Sequence, residues 1–97
     1  MKISVKNNHL ILKKEYLLNS RNLKYLINNP KELEDIRLFI LEDMNFINVK
    51  VNQTDVLSIE IEMHFPDENK YLTEWDLYDL EELMNAARRS VSEKINY

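Results

Sequence analysis

The 97-residue sequence predicts an α+β fold in which two β-hairpins form a four-stranded antiparallel sheet with helices packed on one face. Two observations predict it. Near the N-terminus and again in the middle of the chain, apolar residues alternate with polar ones, as in half-buried strands. Between and after these stretches, apolar residues recur at helical spacing. The predicted order is ββααββα, and because all these apolar faces can share one core, residues 1–97 are expected to form a single domain.

The first hairpin is predicted to turn at Asn7 and Asn8, since asparagine tolerates the positive φ angles that a tight turn requires. A two-residue turn sets Val5 opposite Leu10. The remaining apolar residues of both strands then fall on the same face, so the pattern and the turn agree on one register.

The second hairpin is predicted to join strands at 46–52 and 56–65 through a three-residue loop at 53–55. A two-residue loop would set Val49 opposite Ser58 and break the apolar face. The expected pairs are Val51 with Leu57, Val49 with Ile59, and Ile47 with Ile61. Asp55 is expected to take the left-handed conformation where glycine is usual.

Two helices are predicted between the hairpins. Ser20 is expected to cap a short helix that ends near Asn28. The next is expected to begin after Pro30, with Glu32 in its first turn, and to end at Asn45 as a left-handed C-cap. Its buried stripe is expected to comprise Leu33, Ile36, Ile40 and Met44.

The last helix is predicted to begin after Thr73, because Thr73 and Asp76 resemble a capping box. Acidic residues near its start and basic residues toward its end suit the helix macrodipole. Its buried face is expected to comprise Leu77, Leu80, Leu83, Met84, Ala87, Val91 and Ile95.

Composition excludes several functional classes. The chain has no cysteine, which excludes disulfides, thiolate metal sites and cysteine catalysis. It has no glycine, which argues against phosphate-cradling nucleotide loops. The longest apolar run is 38–41 and the N-terminus lacks the features of a signal peptide, so we expect a cytoplasmic protein without membrane association. Residues with AT-rich codons dominate, as in a low-GC bacterium or its phages.

Charge is divided unevenly along the chain. Residues 1–31 carry a net charge of +6 and residues 32–97 a net charge of −10, within a total of −4. Such polarity steers charged partners. The acidic residues of the last helix are also explained without a partner, as favourable charges at a helix N-terminus.

The acidic helix is the first candidate surface for binding a basic protein partner. Its carboxylates can imitate the phosphates of nucleic acid, and two aromatic residues lie off its core stripe, where Trp and Tyr are favoured interface anchors. Trp75 can instead pack back over the preceding loop. The candidate contact residues are Glu74, Trp75, Asp76, Tyr78, Asp79, Glu81 and Glu82.

The basic first hairpin is the second candidate surface. Lys2, Lys6 and Lys13 share its outward side and are candidates for phosphate contacts. No aromatic residue interleaves with these lysines for base stacking, so direct nucleic-acid binding is the weaker hypothesis.

A metal or catalytic site is not expected. Glu60, Glu62 and His64 alternate along one strand and could hold a cation or an acid–base pair, but any half-exposed strand shows such a row. His9 is expected to be exposed in the first turn. Arg37, at the edge of a buried stripe, is expected either to reach solvent or to anchor a partner or a symmetric homodimer. We expect no cofactor and no enzymatic activity.

The leading hypothesis is therefore a small acidic inhibitor that binds a nucleic-acid-binding enzyme through the last helix. A phage-encoded DNA mimic, of the anti-CRISPR or anti-restriction kind, would suit this composition. The alternatives are an immunity or antitoxin-like protein, a nucleic-acid-binding module that uses the basic hairpin, and a self-assembling structural protein.

Overall fold

The computed structural model describes residues 1–42, 46–64 and 74–95, with the backbone alone at 74–76, 92, 94 and 95. The elements follow the predicted order ββααββα. They are β1 (Lys2–Lys6), β2 (His9–Leu17), α1 (Ser20–Asn28), α2 (Lys31–Leu41), β3 (Asn48–Gln53), β4 (Val56–His64) and α3 (Glu74–Ile95). The α+β fold predicted from the sequence is therefore confirmed.

The four strands form one antiparallel sheet in the order β1-β2-β4-β3, so β2 and β4 are central and β1 and β3 are edges. The helices pack on one face of this sheet, where alternate residues of the strands meet the apolar stripes of the helices. The buried core comprises Leu10, Leu12, Leu26, Ile36, Ile40, Val49, Leu57, Ile59, Ile61, Leu80, Met84, Ala87 and Val91.

The first hairpin has the predicted register. Val5 lies opposite Leu10, and the turn residues Asn7 and Asn8 have φ angles of 51° and 62°. Two consecutive positive φ angles are those of a type I′ turn, whose twist matches that of the paired strands.

The expectation that the helices bury every apolar strand face is wrong for β1. Ile3 and Val5 are 48% and 59% exposed, although both point to the helix side of the sheet. The strand residues in the core come from β2, β3 and β4 alone. Alternation predicts which face of β1 is apolar, but the three described helices pack against the other three strands and leave Ile3 and Val5 exposed.

The second hairpin differs from the prediction by a shift of two residues in register. Val51 lies opposite Ile59 rather than Leu57, and Leu57 lies opposite Gln53. The chain reverses around Asp55, where the Thr54 N–H donates to the carbonyl of Val56 at 3.0 Å. Among the described residues only Asn7 and Asn8 have positive φ, so the left-handed conformation predicted for Asp55 is also wrong.

The ends of the first two helices follow local chemistry. The cap of α1 is Asn19 rather than Ser20, because the Asn19 side chain accepts a hydrogen bond from the Asn22 N–H at 2.8 Å. The second helix, α2, begins after Pro30 as predicted and carries Glu32 in its first turn. The predicted C-cap at Asn45 and the stripe residue Met44 lie outside the described residues, as does the capping-box residue Thr73.

The buried stripe of α3 is confirmed where it is described. Leu80, Met84, Ala87 and Val91 are buried, and Leu77 and Leu83 pack against the core at its margin. Their spacing predicts this face, since side chains three and four apart lie on one side of a helix. In the described part of the chain, no helix is both long enough and apolar enough to cross a membrane.

Candidate interaction surfaces

The candidate contact residues of the acidic helix all lie in the first half of α3. Glu74, Trp75 and Asp76 form its first turn, and their side chains lie outside the described part of the structure. The alternative packing of Trp75 over the preceding loop lies outside it as well. The geometry of this surface therefore depends on the four remaining residues of the set.

Tyr78 and Asp79 form the solvent-facing part of this surface. Tyr78 is 59% exposed, and Asp79 is also exposed. Asp79 takes part in none of the ion pairs found among the described residues. An aromatic ring beside an unpaired carboxylate on a helix anchored by Leu80 presents both groups on a rigid support.

Glu81 faces a different direction. Its Oε1 lies 3.0 Å from the Lys14 Nζ, which extends from the helix-facing side of β2. Glu82 is half-buried, and its Oε1 accepts a weak hydrogen bond from Asn85 at 3.4 Å. The structure thus separates an exposed pair, Tyr78 and Asp79, from carboxylates that also have contacts within the protein.

The sequence patterns did not predict a polar cluster that lies between β2 and α3. The Tyr16 hydroxyl donates to Asn85 Oδ1 at 2.6 Å. The Lys14 Nζ and the Arg88 guanidinium carbon lie 5.2 and 5.9 Å from the centre of the Tyr16 ring, within cation–π distance. Burial raises the pKa of Tyr16 from 10.0 to about 12, and the charge of Glu81 adds to that rise.

The alternation of residues along β2 could have predicted this cluster. Leu10 and Leu12 lie on the buried face, and the same period of two continues through Lys14 and Tyr16. A lysine and a tyrosine on a helix-facing side need polar partners there. Because α3 has Glu81 and Asn85 one turn apart, these partners are supplied by one helix.

Carboxylates lie beside one of the lysines on the outward face of the first hairpin. Lys2 lies opposite Lys13 on the outward face of the sheet, as predicted. However, Lys13 lies 3.7 Å from Glu15 and opposite Glu60 in the next strand. The positive charge of this face is therefore offset on its β2 and β4 side, and at the β1 edge Lys2 and Lys6 form no ion pair with any described residue.

The histidines meet on the same outward face. His9 is half-buried rather than exposed, because its Nδ1 lies 3.3 Å from Glu62 Oε2 and its ring meets that of His64 edge-on at 5.2 Å. No group of three or more His, Asp or Glu residues in the described ranges has the geometry of a metal site. Glu60, Glu62 and His64 make cross-strand contacts on the outward face of the sheet, with Lys50 for Glu60 and with His9 for the other two.

Arg37 contacts its own chain. Its Nε donates to the carbonyl of Val49 at 3.0 Å, and its Nη1 lies 2.9 Å from Glu34 Oε1. The guanidinium therefore ties α2 to the edge strand β3. This contact accounts for its position at the margin of the buried stripe.

Comparisons of the chain with protein-family models, with curated proteins and with solved structures found no match.

Proposed function

We propose that the protein binds a basic protein partner through the solvent-facing side of the first half of α3 and inhibits that partner by occupying its nucleic-acid site. The observation that carries the proposal is the exposed pair Tyr78 and Asp79 on a helix whose opposite face is fixed in the core.

The buried face of α3 makes this helix a rigid support for its outer side chains. Met84 and Ala87 are fully buried, so α3 presents its outer side chains with little freedom to lose on binding. A tyrosine adds a large contact area at low entropic cost, and tyrosines are frequent at the energetic centres of interfaces. The exposed ring of Tyr78 is suited to this role.

Charge determines the class of partner. The C-terminal two thirds of the chain carries a net charge of −10, and Asp79 and Glu82 are one turn apart on α3. Regularly spaced carboxylates on a rigid helix attract proteins whose own sites are built for phosphates. A nucleic-acid-binding enzyme, including a host defence nuclease opposed by a phage, belongs to this class.

The test is capture of partners by the immobilised protein from nuclease-treated lysate of a low-GC bacterium at low salt. The charge-reversal variant Asp79→Lys/Glu82→Lys should lose a nucleic-acid-binding protein that the wild-type protein retains. The matched control is Glu42→Lys/Glu93→Lys, which makes the same change of net charge at two exposed positions outside the first half of α3. Equal capture by both variants would contradict the proposal that the first half of α3 is the contact surface.

The alternatives predict different outcomes of this experiment. An immunity or antitoxin-like protein would retain a toxin through the same surface. A nucleic-acid-binding module would lose its ligand on nuclease treatment and on substitution of Lys2, Lys6 and Lys13. A self-assembling protein would retain copies of itself, in a salt-sensitive manner.

A further inference from the structure

Within the part of the chain that the structure describes, the free side of β1 is an open sheet edge with a defined set of hydrogen-bonding groups. A two-residue type I′ turn makes its flanking residues a hydrogen-bonded pair, so the turn at Asn7 and Asn8 assigns that pairing to Lys6 and His9. Hydrogen-bonded and non-hydrogen-bonded pairs alternate along an antiparallel ladder. The N–H and C=O groups of Ile3 and Val5 therefore point away from β2, toward the free side.

The two faces of this edge differ in chemistry. On the helix side, the side chains of Ile3 and Val5 are 48% and 59% exposed. On the outward side, Lys2 and Lys6 are exposed and take part in none of the ion pairs among the described residues. An added strand would meet aliphatic side chains on one face and ammonium groups on the other.

The protein itself pairs a strand of complementary pattern with lysine-bearing neighbours. In β4, Ile59 and Ile61 are fully buried and alternate with Glu60 and Glu62 on the outward face. Glu60 lies opposite Lys13 of β2, and on its other side it lies opposite Lys50 of β3 with an Oε2 to Nζ distance of 3.9 Å. A strand of alternating aliphatic and acidic residues thus pairs with a lysine-bearing strand on each of its sides.

We propose that β1 binds an extended segment of a protein partner in which acidic and aliphatic residues alternate, and that this segment adds a fifth strand to the sheet. Main-chain hydrogen bonds to Ile3 and Val5 would provide affinity, and the outward lysines would select acidic side chains. This surface is separate from α3, and the inference does not depend on the function proposed for that helix.

A second copy of the chain is a poor occupant of the same edge. Antiparallel pairing of two β1 strands about Ser4 would set Lys2 of each copy opposite Lys6 of the other. Pairing of β1 with a β3 edge would bring Lys50 to the same outward face. Like charges directly opposite each other destabilise a ladder, and lysines at a sheet edge disfavour self-association.

The test uses synthetic peptides of defined sequence. A fluorescein-labelled peptide Glu-Val-Glu-Ile-Glu-Val-Glu should raise its anisotropy on titration with the full chain at low salt, and the peptide with lysine at each glutamate position should bind at least about tenfold more weakly. The variant Lys2→Glu/Lys6→Glu should reverse this preference. The matched control Lys24→Glu/Lys31→Glu, at exposed positions of α1 and α2, should preserve it.

Two further measurements distinguish strand addition from simple charge attraction. Amide hydrogen exchange at Ile3 and Val5 should slow on addition of the acidic peptide. The variant Ile3→Pro should abolish binding, because it removes an N–H that points to the free side of β1 and has no partner in β2. Equal binding of both peptides, or unchanged exchange at these amides, would overturn the proposal. So would sedimentation that shows dimers of the wild-type chain together with an absence of peptide binding.

Discussion

The hydroxyl of Tyr16 on β2 donates to the side-chain oxygen of Asn85 on α3 at 2.6 Å. This bond joins a central strand to the helix that carries the proposed contact surface. The same contact region includes Lys14 and Glu81, so the position of α3 over the sheet depends on polar contacts as well as on its buried stripe.

Substitution of Tyr16 by Phe should lower the free energy of unfolding by about 1 kcal/mol, because the half-buried hydrogen bond to the Asn85 oxygen is lost. Urea denaturation followed by circular dichroism measures the change. Tyr78→Phe is the control, since that side chain is exposed and should leave the unfolding midpoint unchanged. A similar loss in both variants would contradict the role given to Tyr16.

The raised pKa of Tyr16 predicts a loss of stability in alkali. Burial, with the charge of Glu81 adding to it, raises the pKa from 10.0 to about 12, so the unfolded chain releases the phenolic proton first as pH rises. The stability that this raised pKa contributes to the folded protein is fully present below pH 10.0 and is lost as pH rises toward about 12. Since the ring is half-buried, screening reduces the expected loss to about 1 kcal/mol.

The pH effect is measured as the difference between wild-type protein and Tyr16→Phe in urea denaturation across that window. The difference between the two free energies of unfolding should narrow as pH rises. Tyrosinate absorbance, taken as the wild-type minus Tyr16→Phe spectrum, should show one group titrating near the raised pKa. A constant difference in stability across the window would show that the two states of the chain titrate alike at this residue.

Glu81 and Asp79 should differ in their effects on folding. The Lys14–Glu81 pair is 3.0 Å long, with side chains 23% and 38% exposed, so a double-mutant cycle of Lys14→Met and Glu81→Gln should give a coupling of about 0.5 kcal/mol. Added salt should reduce it. The cycle of Lys14→Met with Asp79→Asn should give no coupling, and coupling of equal size in both cycles would contradict the observed geometry.

Replacement of Asn8 by Gly should stabilise the protein by about 0.5 kcal/mol. Its φ angle of 62° lies in the left-handed region, which Gly adopts without strain, and Asn-Gly is favoured in type I′ turns. Asn8→Val should destabilise by about 1–2 kcal/mol because a β-branched residue is strained there. Thermal unfolding of both variants, with Asn52→Gly as a strand control, tests the turn conformation.

Sequence patterns predicted the register of the first hairpin but not that of the second. The turn at Asn7 and Asn8 left a single register for the first hairpin, and the observed pairing of Val5 with Leu10 matches it. In the second hairpin, a shift of two residues keeps every side chain on its own face. The pattern therefore could not distinguish the predicted pair of Val51 with Leu57 from the observed pair of Val51 with Ile59.

Other features depend on tertiary placement. Alternation in β1 identifies its apolar face, but whether a helix lies over Ile3 and Val5 depends on the angle and number of helices. The contact surface shows the same limit. Asp79 and Glu81 are two residues apart in α3 and so point in different directions, but only the position of Lys14 on the sheet determines that Glu81 has a partner within the protein.

The most direct test of the proposed function is photo-crosslinking from position 78. The photoreactive residue benzoylphenylalanine in place of Tyr78 should crosslink, in nuclease-treated lysate, to a nucleic-acid-binding protein. The same residue in place of Ile27, which is comparably exposed at 61% on α1, should not. Crosslinking of one protein from position 78 alone is the predicted result. Identical crosslinks from both positions, or none from position 78, would contradict the assignment of α3 as the contact surface.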